Sequence, residues 1–182
     1  MIMVLLTVSG HPGSGTTTLV DEICHRRGWK SLNGGEVFRT SAEERGVSLE
    51  EFSILCDNEP DVDKSLDKRL ISSMLEDDGP EIVESRLSGW WAFRQEISCI
   101  RLWLSVSIEE RGNRVVKREG GTLEDTISRI RDRMDSDQKR YNKLYGISLE
   151  DMSPYNMIIE TDSLTAVEVA DMVEKALNKR EG

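Results

Sequence analysis

Short apolar runs alternate along this chain with longer stretches in which apolar residues recur every three or four positions. Residues 3–9 begin with the run Met3-Val4-Leu5-Leu6, which predicts a strand buried on both faces. A helical period follows over 16–28, where Leu19, Val20, Ile23 and Cys24 share a face and Gly28 is placed to end the helix. Trp29 to Leu32 predicts a short strand, and Asn33-Gly34-Gly35 a turn. Helices are expected from about Glu36 to Glu44, from Ser48 to about Asp57, and over about 62–76 after Pro60. Strands are expected at Glu81 to Glu84, Cys99 to Val106 and Tyr155 to Glu160. Ser48 with Glu51, Ser107 with Glu110, and Thr165 with Glu168 each have capping-box spacing, so each should open a helix. The Ser107 helix should run to about Glu119 and the Thr165 helix to about Lys179; between them a long charged helix is expected from about Leu123 to Leu144. Strands alternating with helices imply an α/β fold in three layers, a parallel sheet of about five strands covered on both faces, with right-handed crossovers. Residues 1–182 read as one domain, without internal repeats.

Between the first strand and the first helix lies Gly10-His11-Pro12-Gly13-Ser14-Gly15-Thr16-Thr17-Thr18. This is the spacing of a phosphate-binding loop, G-x-x-x-x-G and two more residues before a helix. Small residues let the backbone curl so that its N–H groups converge, and the helix N-terminus adds positive potential. Thr17 falls where such loops place a hydroxyl for Mg²⁺. Thr16 stands where they place lysine, so unless His11 is protonated the loop carries no cation. A chain that transfers phosphate with this loop must bring positive charge from elsewhere.

Composition narrows the field. A net charge of −10 argues against a general nucleic-acid binder. No apolar run approaches the length of a membrane span, and the N-terminal run lacks the basic flank of a signal peptide. Three scattered cysteines, Cys24, Cys56 and Cys99, favour reduced thiols in a cytoplasmic protein and give no zinc-site spacing. Between Arg111 and Lys143, ten Lys and Arg face six Asp and Glu. A locally basic segment in an acidic chain suits a small anionic ligand, or equally a solvated helix face.

Three groups supply candidate cations. Arg39 lies in the helix after Asn33-Gly34-Gly35, where it can reach a second phosphate or remain a surface residue. Arg86 follows the second long strand, at the strand end where α/β sheets bind ligands. It offers a planar fork for phosphate, or pairs with Glu84, which is placed to orient a metal's water shell. Trp90 and Trp91, just beyond, suit core or lid packing better than a base-flanking role. In the basic segment, Arg133, Asp137 and Arg140 share one helix face, and Arg114 and Arg118 share a face on the preceding helix. Gly120-Gly121 between the two helices would let the pair swing as a lid that delivers charge, unless Asp137 and Arg140 simply pair with each other.

The set of motifs, in order, resembles the archaeal-type cytidylate kinases within the nucleoside monophosphate kinases. It comprises Gly10 to Thr18, Gly35-Glu36-Val37-Phe38-Arg39, Ser48-Leu49-Glu50-Glu51-Phe52, Pro60-Asp61-Val62-Asp63 and Leu66-Asp67-Lys68-Arg69. Glu84-Ser85-Arg86-Leu87-Ser88-Gly89-Trp90, Lys117-Arg118-Glu119-Gly120, Lys139-Arg140-Tyr141 and Tyr145-Gly146-Ile147 complete it. The resemblance spans roughly residues 3 to 178 and implies a P-loop fold with a helical acceptor-binding insertion at about 34–77 and a lid at about 112–140. It implies transfer of the γ-phosphoryl group of ATP to CMP and dCMP, with Gly10 to Thr18 on the ATP phosphates and Thr17 at Mg²⁺. Arg39 and Arg86 would then hold the acceptor phosphate, and Arg118, Arg133 and Arg140 would gather on the transferring group. A monomer acting on free nucleotides is expected. Lys64, Asp67 and Lys68 lie in the acceptor insertion and are candidates for choosing the base, or equally, on helix spacing, surface residues. Two alternatives stay open at this point: a kinase for another small acceptor such as AMP, and a nucleotide-binding regulatory protein without catalysis.

Overall fold

The computed structural model describes residues 4–182, so Met3 of the first predicted strand lies outside the described residues. Five strands, all parallel, form one sheet: β1 (Leu6–Gly10), β2 (Ser31–Asn33), β3 (Ile82–Glu84), β4 (Ile100–Ser105) and β5 (Met157–Glu160), in the order β2-β3-β1-β4-β5. The order reverses at β1, so the loop after β1 opens into the crevice where such sheets bind ligands. Val8, Glu84 and Asn33 sit abreast in neighbouring strands, bringing the ends of β1, β3 and β2 to one rim.

Strand alternation divides the core in two. Leu6, Val8, Ile82, Leu102 and Leu104 face α1 (Thr16–Arg27) and α8 (Ala166–Glu181). Val83 and Trp103 belong to the opposite core, with Trp90 and Trp91 of α5 (Ser88–Arg94). The same core takes Leu70 and Met74 of α4 (Pro60–Leu75), Val37 of α2 (Gly34–Arg45) and Tyr141 of α7 (Leu123–Tyr145). α3 (Leu49–Asn58) buries Phe52 and Cys56 in a smaller cluster with Ala42 of α2. α6 (Ile108–Glu119) and α7 pack against each other, joined by Gly120 and Gly121 at φ 80° and 91°, a region that favours glycine.

Several local expectations change. The short strand moves to Ser31–Asn33, while Trp29 lies beneath the Arg27 guanidinium at 4.6 Å. Asn33-Gly34-Gly35 is no free turn. The Asn33 side chain accepts from the Glu36 N–H at 2.8 Å and Glu36 returns a bond to the Asn33 N–H at 2.9 Å, so the glycines form the first turn of α2. Ser48 and Thr165 do make reciprocal capping boxes. Ser107 makes half of one. It accepts from the Glu110 N–H, but its own N–H donates to Asp162 at 2.8 Å, while the Glu110 carboxylate holds Arg114. α5, absent from the sequence reading, is a seven-residue helix, and its Gly89 lies against the Tyr155 ring.

Candidate active site

Two cavities meet on the phosphate loop. One, about 400 Å³, is lined by His11 to Thr18 together with Arg118, Arg129 and Arg133. The other, about 700 Å³, lies over the carboxyl rim of the sheet between α2, α4 and α7. Thr16, Thr17, Glu84, Arg86 and Arg133 line both. A third space, about 220 Å³, adjoins the loop at Gly15 and Thr18 and runs under Arg114 to Leu164 and Val169.

The loop owes its shape to Gly13 and Gly15, at φ 81° and 82°. Three arginines hold it by its carbonyl oxygens. Arg86 donates to Gly10 O at 3.0 Å, Arg111 to Pro12 O at 3.4 Å and Arg114 to Ser14 O at 3.3 Å. Carbonyls turned toward these cations leave the opposite edge of the peptide groups for an anion. Arg111 is nearly fully buried and also donates to Val106 O, so it ties the loop to the end of β4. Sequence reasoning counted Arg111 only as charge; its burial was the missing signal.

His11 does not charge the loop. Its ring meets Trp103 edge-on at 5.1 Å, and Trp103 in turn packs on Tyr155 at 5.2 Å. Burial, with Arg111 and Arg86 nearby, lowers the His11 pKa to about 4, so the imidazole is neutral at pH 7. Thr16, in the lysine slot, donates to Glu84 Oε1 at 2.6 Å, and Thr17 donates to the same oxygen at 2.8 Å. A hydroxyl beside a carboxylate is a hard-oxygen donor set that fits Mg²⁺ held mainly by water and phosphate oxygens.

Two cations of the larger cavity rest on carboxylates. Arg86 pairs with Asp137 at 3.2 Å rather than with Glu84. Arg140 pairs with Asp63 of α4 at 2.7 Å, so the intrahelical Asp137–Arg140 pair does not form. Asp63 is buried, and that burial pushes its carboxyl above the usual range despite Arg140. Arg39 and Arg133 are exposed and line the large cavity. Arg118 lines the smaller one but is bonded to Glu119 at 2.5 Å and is 67% exposed. Arg118, Arg133 and Arg140 therefore do not converge on one point: Arg118 and Arg133 line the smaller cavity, Arg133 and Arg140 the larger. Of Lys64, Asp67 and Lys68, Asp67 alone lines the cavity, and Tyr145 donates to it at 2.5 Å. Trp90 and Trp91 are core residues.

A five-stranded parallel sheet with a glycine loop after its central strand and arginines ranged around that loop defines a P-loop kinase fold. Shikimate kinase from Bacteroides thetaiotaomicron superposes with a TM-score of 0.61 over 96% of this chain and 98% of that one, at 12% identity, a likeness of fold. Residues 5–163 match the cytidylate kinase-like family, and the chain belongs to it. It is 38% identical to the cytidylate kinase of Pyrococcus horikoshii over 174 residues, covering 96% of this chain and 88% of the relative. It is 34% identical to that of Methanopyrus kandleri over 184 residues, covering 97% and 94%.

Proposed function

We propose that the protein transfers the γ-phosphoryl group of ATP to the phosphate of CMP, and of dCMP, giving ADP and CDP or dCDP. The observation that carries this reading is the junction of two cavities on one phosphate loop, with Arg86 and Arg133 bordering both. A donor on one side and an acceptor on the other then share the cations between them.

In this mechanism Gly10 to Thr18 cradle the donor phosphates through backbone N–H groups and the N-terminus of α1. The donor base occupies the space under Arg114, beside Leu164 and Val169. Thr17 would hold Mg²⁺, with the Glu84 carboxylate beside it to accept from its waters, and the ion would supply positive charge against the phosphates. Arg39 and Arg86 hold the acceptor phosphate. An oxygen of that phosphate attacks the γ-phosphorus, the bond from phosphorus to the β–γ bridging oxygen breaks, and ADP leaves with that electron pair. The attacking oxygen is already anionic, so no general base is required. Arg118, Arg133 and Arg140 supply the charge that Thr16 does not, once α6 and α7 (the lid, about 112–140) close over the loop. Helices α2 to α4 form the acceptor insertion, about 34–77. Positioning and charge neutralisation carry most of the rate.

The protein acts as a monomer on free nucleotides in the cytoplasm, with neither nucleic acid nor membrane as partner. A net charge of −10 speaks against a polyanionic partner; among the described residues no helix is long and apolar enough to cross a membrane. Coupled ADP release with Mg-ATP, run against CMP, dCMP, UMP, AMP and GMP, tests the reading. Fastest turnover on the cytosine nucleotides is expected. Turnover on another acceptor would sink the cytosine assignment, and ATP binding without turnover would sink catalysis.

A further inference from the structure

The residue in the lysine slot is tied to the neighbouring strand. Thr16 opens α1, and its hydroxyl donates to Glu84 Oε1 at 2.6 Å. Its methyl group packs against Gly10, where a Cβ would stand 3.2 Å from Thr16 Cγ2. A β-branched side chain with its hydroxyl bonded and its methyl covered is confined to one rotamer.

The acceptor of that bond is well placed. Glu84 ends β3, level with Val8 of β1, and is 9% exposed. Its carboxylate borders both cavities, and Thr17 donates to the same Oε1 at 2.8 Å. Arg86, two residues on, is committed to Asp137 and to Gly10 O. The two bonds to Oε1 thus come from neutral hydroxyls, which offset less of the carboxylate's charge than an ammonium in the Thr16 position would.

A hydroxyl ligates a cation through a lone pair, so its proton must go to another acceptor. For Thr17 that acceptor is already in place, and its lone pairs are left for a hard cation. Thr16 supplies the second bond that keeps Oε1 where Thr17 needs it.

We propose that Thr16 is a positioning residue for the divalent cation: by holding Glu84 it fixes the Thr17 hydroxyl with the proton on Glu84 and the lone pairs free for Mg²⁺. The slot from which a lysine would reach the phosphates serves the metal in this chain. This rests on the kinase reading above and deepens it.

The test is a binding experiment with no acceptor and no turnover. Mn²⁺ serves as a hard, paramagnetic probe. Its affinity for the ADP-saturated protein is read from the electron paramagnetic resonance signal of free Mn²⁺, and ADP affinity in EDTA is read by calorimetry. Thr16→Val removes the donor and keeps the branched shape, whereas Thr16→Ser keeps the donor. Thr16→Val should bind Mn²⁺ about tenfold more weakly, the loss typical of a removed partner behind a metal ligand, with ADP affinity in EDTA unchanged. Thr16→Ser should retain the wild-type Mn²⁺ affinity. Wild-type Mn²⁺ affinity in Thr16→Val overturns the proposal, and so does an equal loss of ADP affinity in EDTA, which would mark a role in the loop itself. Should Thr16→Val fail to fold, Thr16→Ser decides alone: an unchanged Mn²⁺ affinity supports the hydroxyl, and a loss of about tenfold overturns it. No binding of ADP by the wild type would instead overturn the kinase reading beneath.

Discussion

The donor and acceptor sides of this site hold their arginines by different means. Around the phosphate loop, Arg111 and Arg114 donate to backbone carbonyls, and Arg114 alone of the two also holds a carboxylate, that of Glu110 on its own helix. On the acceptor side, Arg86 and Arg140 sit on Asp137 and Asp63. A neutral carbonyl does not compete with an incoming phosphate for a guanidinium's charge. A carboxylate does, and a phosphate can take its place. On the proposed function, the donor cradle is thus built in advance, whereas the acceptor cations would be parked on ligands that substrate can replace. Arg86 belongs to both sides, since it bonds Gly10 O as well as Asp137.

The largest effect is expected where neither kind of partner holds the cation. Arg133→Ala should lower kcat by on the order of 10³ with little change in ATP affinity, by analogy with arginine fingers. Steady-state kinetics with a separate ATP titration would check it. Unchanged turnover would remove Arg133 from the transfer step.

Next comes the neutral imidazole of the donor cradle. His11 titrates near 4 when folded and near 6.5 when unfolded, so the unfolded chain binds more protons between those values. Its contribution to stability is therefore full above about pH 6.5 and is lost as the pH falls toward 4, up to ~3 kcal/mol. His11→Gln should flatten this part of the pH–stability curve, read by denaturant unfolding from pH 7 to pH 4.5. Parallel curves for the two proteins would show that the cradle does not depend on a neutral ring.

Arg111→Met should weaken the cradle itself. It leaves Pro12 O and Val106 O without their buried donor, at a cost of about 1–3 kcal/mol in unfolding free energy. ATP affinity should fall about tenfold, measurable by calorimetry, because the loop loses its tie to β4. Loss of CMP affinity instead would erase the distinction between the two sides.

The smallest effect is expected from freeing a parked cation. Asp63→Asn releases Arg140, so KM for CMP should fall a few-fold, the saving expected when a competing state is removed. A rise in KM would mean that Asp63 positions Arg140 for substrate rather than withholding it.

What the sequence revealed follows the range of the interactions involved. The glycine loop, the Ser48 and Thr165 capping boxes and the Gly120-Gly121 junction are set within a few residues, so spacing exposes them. α5 escaped because Ser88 to Ala92 are all buried, which removes any amphipathic period. Asn33-Gly34-Gly35 misled because the glycine pair outweighed the Asn33–Glu36 box. The partners of Arg86 and Arg140 lie 51 and 77 positions away, a choice made by what the fold sets beside α7 and not by local pattern. Arg86 draws attention by its place after β3, Arg39 by the glycine pair before it and Arg133 by its helix-face spacing, whereas the burial of Arg111 leaves no mark in local pattern.

Gly89 shows how far the site extends into the core. A Cβ there would stand 2.3 Å from Tyr155 Cε1, and Tyr155 leans on Trp103, which supports the His11 ring. A single methyl group on α5 thus pushes on a stack of rings that ends in the phosphate loop. In a library of every single substitution selected for nucleotide turnover, position 89 would be scored as indispensable. A reader of that map would mark it as a ligand contact, although its constraint is one of space passed on from ring to ring.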